Sequence, residues 1–173
     1  MKQSAEYWIR RLHLKKHPEG GYYRESYRST EFLKASTLPR RYPEKRSFST
    51  AIYFLLKGQD VSRFHRLMSD ELWHFHTGSS LTIHIISPKG KYSTIKLGAD
   101  AEKQQVFQCV IEKNQWFAAT VDDTKGFSLV GCTVAPGFDF ADFEMGEQNH
   151  LLHLCPSMKN LIARLTTRQQ SGS

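Results

Sequence analysis

The densest run of chemically capable side chains is FHRLMSDELWHFHTG, residues 64–78. A polar Ser69–Asp70 turn separates two apolar-rich runs, so a hairpin would bring His65 and Glu71 face to face. A histidine beside a carboxylate in an aromatic-lined cavity makes a general base: the carboxylate orients the ring, and burial adjusts both pKa values. The alternative is a buried hydrogen-bonded pair of structural use. If Glu71 points inward, strand alternation carries Trp73 and Phe75 in with it and sends Leu72, His74 and His76 outward. His74-x-His76 places two imidazoles on one strand face, half of a metal site, for which His84 could supply a third ligand. The reading preferred for this pair is an outer polar or subunit-facing surface. His13, His17, His150 and His153 fall in turn or terminal contexts and carry no signal of their own.

The elements that must hold these residues are mostly strands. Short β-type runs cover Tyr22–Arg28, Thr50–Leu56, Val61–His65, Glu71–His76, Leu81–Ile86, Tyr92–Leu97, Val106–Ile111, Trp116–Thr120 and Phe127–Val134, punctuated by Gly58, Gly78, Gly90, Asn114 and Gly126. Such spacing predicts a β sandwich or barrel, not alternating βαβ units. Residues 4–12 predict a short helix capped by Ser4, residues 157–165 a C-terminal one, and residues 29–46 a long loop. The chain of 173 residues is sized for one domain, with a core of about 5–165 and a frayed tail at 166–173.

Composition narrows the classes. The longest apolar run, Ala51–Leu56, has six residues where a membrane helix needs about 20, so no membrane span is expected. The N-terminus shows no apolar core followed by a small-residue cleavage site, and Cys109, Cys132 and Cys155 are widely spaced. The expectation is a cytoplasmic protein with reduced, buried thiols. The net charge of +7 is local: residues 1–66 hold 15 basic and 6 acidic side chains, residues 67–173 hold 9 and 11. The basic stretch 34–46 has no RNA- or DNA-binding motif beside it and is read as a solvated loop, so a nucleic-acid partner is not expected.

Several segments together resemble the cupin superfamily. The first cupin motif is a Gly, a HxH, a Glu four residues after the second His, and a Gly seven residues after the Glu. Gly58, His65, Glu71 and Gly78 fit it with one extra residue before His65, and Leu67 replaces the second His. In the stretch resembling the second motif, VIEKNQWFAA (110–119), Asn114 stands at the turn Gly and Phe117 at the His. With two of the four usual ligands absent, no metal and no cofactor is expected. HPEGGYYRESYRS (17–29), FHRLMSDELWHFHTG, NQWFAA (114–119) and VGCTVAPGFDFADFEM (130–145) resemble cupin family five more closely, a group of small cupins labelled predicted sugar epimerases. The resemblance implies an all-β double-stranded β-helix, the cupin jelly roll, with short terminal helices, and a homodimer.

Three functions are compatible with these residues. The first is a metal-independent epimerase or isomerase of sugars or nucleotide sugars. In it His65 is the base, Glu71 its orienter, Arg24 or Arg63 the clamp for a phosphorylated sugar, and one of Tyr22, Tyr23 and Tyr53 the acid. The second is a non-catalytic binding module whose cavity is lined by Trp73, Phe75 and Phe117. The third is a metal-dependent oxygenase that would need a further ligand. Asp139, after the last strand, could reach the cavity mouth or serve as a turn-stabilising contact. The Gly20–Gly21 turn either only shapes the chain or sets Glu19 and Arg24 into the pocket wall.

Overall fold

A computed structural model describes residues 3–167. The chain opens with helix α1 (Ala5–Arg11), capped by the Ser4 hydroxyl, which accepts the Tyr7 N–H. Strands β1 (Lys15–Lys16), β2 (Tyr22–Arg28), β3 (Phe32–Leu33), β4 (Arg46–Ser47), β5 (Thr50–Lys57), β6 (Val61–Leu67) and β7 (Glu71–Gly78) follow. Then come β8 (Leu81–Ile86), β9 (Tyr92–Leu97), β10 (Gln108–Ile111), β11 (Trp116–Val121), β12 (Phe127–Val134) and β13 (Phe143–Met145), and the helices α2 (Gln148–Leu154) and α3 (Lys159–Leu165).

Two antiparallel sheets face each other, ordered β1-β2-β5-β12-β7-β10 and β13-β6-β11-β8-β9. The expected double-stranded β-helix is what these strands form. The main core lies between the sheets, where Phe54, Trp73, Ile83, Phe117 and Val130 are almost fully buried. A second cluster, with Phe64, Trp116, Leu151 and Ile162, seals α2 and α3 onto the outside of the five-stranded sheet. A third, around Leu55, Leu129 and Trp8, seats α1 on the outside of the six-stranded one.

Three expectations are corrected. The 29–46 loop carries short structure: β3 pairs β4, and a 3₁₀ turn spans Ala35–Thr37. That strap is pinned by a buried ion pair between Arg46 and Asp142 (2.7 and 2.6 Å). Helix α2 has no counterpart among the predicted elements, because only Leu151 among its residues is buried and the apolar stripe is too thin to register. Two residues of the tail expected to fray are fixed: Thr166 is buried and donates to the Ile162 carbonyl, and Thr167 bridges Glu147. The rest of the tail, 168–173, lies outside the described residues. No helix among the described residues is long and apolar enough to cross a membrane.

Candidate active site

One end of the space between the sheets opens into a cavity of about 500 Å³. Strands β2, β5, β6, β7 and β12, together with the segment after β12, build its walls. Two turns set its chemistry. Gly20 (φ +118°) and Gly21 (φ +69°) lie in the left-handed region, and a Cβ on Gly20 would collide with the Val61 carbonyl. These glycines let the chain press against β5 and β6 and deliver Glu19 inward. The Arg63 N–H donates to the Glu19 carbonyl at 2.9 Å and locks the turn.

The Glu19 carboxyl is the hub. Its Oε2 lies 3.1 Å from His65 Nε2 and 3.5 Å from His17 Nδ1, and its Oε1 accepts the Ser62 hydroxyl at 2.9 Å. His65 Nδ1 faces only an acceptor, the Arg63 carbonyl at 2.7 Å, so Nδ1 carries the hydrogen and Nε2 presents a lone pair to Glu19. Burial sets the charge states. His65 is pushed down to about 3 by desolvation, against the Arg63 hydrogen bond. Glu19 is driven well above the carboxylate range by desolvation and by repulsion from Glu71. The two therefore share a hydrogen bond between neutral groups, with the proton on Glu19. His17, pushed down to about 4 by burial, accepts the Glu19 backbone N–H at Nδ1 (3.3 Å), which leaves hydrogen on Nε2.

Glu71 lines the same cavity but does not pair with His65, contrary to the hairpin expectation. Its Oε2 accepts the Trp73 indole N–H at 2.9 Å, and desolvation pushes it up to about 7. A hairpin argument sees only neighbouring strands; the partner of His65 comes from the turn before β2, more than 40 residues upstream.

The remaining expected residues divide by strand alternation. Trp73 lines the cavity, and Asp139 stands at its mouth with its carboxylate accepting the Ala141 N–H (2.9 Å), the turn-stabilising contact. Arg24 borders the cavity, yet its guanidinium lies 6.0 Å from the Tyr53 ring, and its buried Nε has no partner among the described residues. Tyr53 is corrected: it pairs with Arg24 in register and faces outward, 5.8 Å from His76. Arg63 is corrected too, since its guanidinium reaches back to the Glu19 carbonyl (3.4 Å) and not into the cavity. Phe75 packs on the core away from the cavity, and Phe117 backs the His65 ring (centroids 4.0 Å apart) without lining it. Of the three candidate tyrosines, only Tyr23 lines the cavity. His74 and His76 face outward as expected, with His76 at a bulge against β12.

Sequence reasoning missed His17, Phe54 and an aromatic group at the mouth, Phe138, Phe140 and Phe143. The FDFADF spacing carried that last signal. The oxygenase alternative needs donors arranged around one point, and among the described residues no group of three His, Cys, Asp or Glu side chains is arranged to hold a metal ion; in the His17–Glu19–His65 cluster the donors bond to one another. Leu67 lines the cavity and Phe117 lies in register with His65, so apolar groups stand at both replaced ligand positions. Asn114 (φ 64°) takes the left-handed turn position expected of glycine there.

A jelly roll with one polar cluster at the open end of its cavity defines a cupin. The chain belongs to the Cupin superfamily family DUF985, whose profile matches residues 6–146. It is similar to protein SO0799 from Shewanella oneidensis (42% identity, 97% of this chain and 100% of that one, TM-score 0.87). A hypothetical protein from Leishmania major is also similar (35%, 96% and 100%, TM-score 0.85). So is the uncharacterized Saccharomyces cerevisiae protein YML079W, 28% identical over 162 residues (87% of this chain, 80% of that protein). Oxalate decarboxylase from Bacillus subtilis shares the fold alone, at 15% identity over 93% of this chain and 41% of that one (TM-score 0.53).

Proposed function

We propose that this cupin is an acid–base enzyme that moves a proton on a small molecule held in the cavity, an isomerase or epimerase. The observation that carries the reading is the 3.1 Å contact between Glu19 and His65 in the cavity wall. One proton is shared by two groups, each able to hold it. When it passes to His65 Nε2, the Glu19 carboxylate becomes an acceptor for a substrate C–H proton. The electron pair released from carbon moves onto the adjacent carbonyl oxygen. His17 Nε2–H is the neutral donor available to that oxygen, and a neutral imidazole suits a developing enolate. Re-protonation of the same carbon on its other face, with Tyr23 as the candidate acid, completes an epimerisation. Of the roles expected from the sequence, His65 stays in the acid–base pair, and Glu19 replaces Glu71 as its partner.

The test is hydrogen exchange. Candidate sugars and other carbonyl compounds are incubated in D₂O with the protein and followed by NMR. Deuterium entering the carbon beside the carbonyl, lost in His65→Asn and Glu19→Gln, supports the reading. Exchange that persists in both variants sinks it.

A second reading, non-catalytic binding, is favoured by one observation. Both His65 nitrogens and both Glu19 oxygens already have protein partners, as a purely structural network would. We also propose a homodimer and a cytoplasmic location. Supporting the dimer, Val106, Phe107 and Val110 are exposed on and before the edge strand β10; sedimentation of the pure protein tests it.

A further inference from the structure

The acid–base chemistry leaves Glu71 unused, although the residue is only 7% exposed and lines the same cavity. A carboxyl in such a place needs a reason. Among the described residues its one strong hydrogen-bond donor is the Trp73 indole, and thiols stand beside it: Cys132 on β12 and Cys109 on β10. Among the described residues no lysine or arginine pairs with Glu71 or with Glu19. Of the cations near the cavity, Arg24 turns its guanidinium to the Tyr53 ring on the outer face of β2, and the other two stand at the rim in contacts of their own. Arg28 is bound twice by Glu25 (2.9 and 2.7 Å) and donates to the Phe138 carbonyl (3.1 Å), while Lys15 Nζ lies 5.2 Å from the Tyr23 ring. An anionic ligand such as a sugar phosphate would therefore meet two carboxyls and no free interior cation. A neutral ligand would leave the cost of burying Glu71 as it is.

A cation removes that cost, and the walls suit one. Phe54 and Trp73 meet edge to face (5.8 Å), and Phe138, Phe140 and Phe143 close the mouth with centroids 5.0–6.2 Å apart. Ring faces attract an alkylammonium, most strongly where water is excluded. We propose that the ligand of this cavity carries an organic ammonium group, seated among the aromatic rings with the Glu71 carboxylate as its counter-ion. The proposal rests on the reading of the cavity as the ligand site and adds to it the ligand's charge. For the acid–base reaction it names the substrate class: an amino-bearing carbonyl compound, not a phosphorylated one.

Choline and its uncharged carbon isostere 3,3-dimethylbutan-1-ol, which differ in charge at nearly constant shape, are the probes. Each is titrated into the full chain and read by the shift of the Trp73 indole N–H in NMR. Choline is expected to bind about tenfold or more tightly than the alcohol. Glu71→Gln, which keeps an acceptor for Trp73, is expected to erase the difference. Glu19→Gln and His65→Asn should abolish exchange yet keep the preference for choline, so the two readings can fail separately. Should Glu71→Gln not fold, the wild type is titrated at pH 6 and pH 8. The groups facing Glu71 are Cys132, Cys109 and Glu19, all raised by burial, so the thiols stay protonated across this window; Glu71, pushed up to about 7, ionises between the two values, and choline tightens with pH while the alcohol does not. Equal or tighter binding of the alcohol, binding of neither probe, or a choline preference intact in Glu71→Gln overturns the proposal.

Discussion

Two buried histidines in this molecule look alike one at a time. His65 and His84 are both well buried, both held neutral by desolvation, and both have a partner at each ring nitrogen. His84 sits between the Tyr92 hydroxyl (2.9 Å) and the Thr120 hydroxyl (3.0 Å) on the outer side of the five-stranded sheet, near Arg164 of α3. His65 sits between a carbonyl and a carboxyl, on a cavity wall. Burial and a lowered pKa are common to both, so neither marks a site. What separates them is a partner able to take or give a proton, and a space next to it that a molecule can fill.

Substitutions can test that distinction. The largest effect is expected from His65→Asn, with exchange falling by about 10²–10⁴-fold while the melting temperature changes little. His84→Ala should do the reverse. It strands two hydroxyls and leaves a hole, at about 2–3 kcal/mol in denaturant melts, with exchange retained. If His84→Ala abolishes exchange in a folded protein, the contrast fails. Glu71 gives a pH signature. Its folded pKa is about 7 against an ordinary value of 4.5, so between those values the folded state holds a proton that the unfolded chain has released. Its contribution is most favourable below pH 4.5 and is lost as pH rises through about 7, by roughly 3 kcal/mol as an upper bound. Glu71→Gln should therefore gain stability over wild type at pH 8, and the gain should vanish near pH 4. A constant difference across that range would show that Glu71 does not titrate there. The smallest effect is expected for Tyr53→Phe: exchange altered by about twofold or less, since the ring lies on the far face of β5.

These cases also show what the sequence can carry. Alternation along Glu71–His76 puts Glu71 and Trp73 inside and His74 and His76 outside, because inside and outside follow from the two-residue period of a strand. The same rule applied to β2 and β5 would turn Arg24 and Tyr53 outward, but their strand partners cannot be known without the register. The Glu19–His65 contact depends on two glycines folding a turn across β5 and β6, a tertiary fact with no periodic trace. His17 is legible only afterwards, as the residue whose ring sits beside that turn.

The Arg46–Asp142 pair joins residues 96 positions apart, the strap before β5 to the segment that carries Phe138, Phe140 and Phe143. The opposite side of the mouth is made by residues 15–28. On a ribosome, the first wall emerges long before the second. The last wall of the chamber is thus synthesised after every strand from β5 to β12, and Asp142 moors it to a strap made almost a hundred residues earlier.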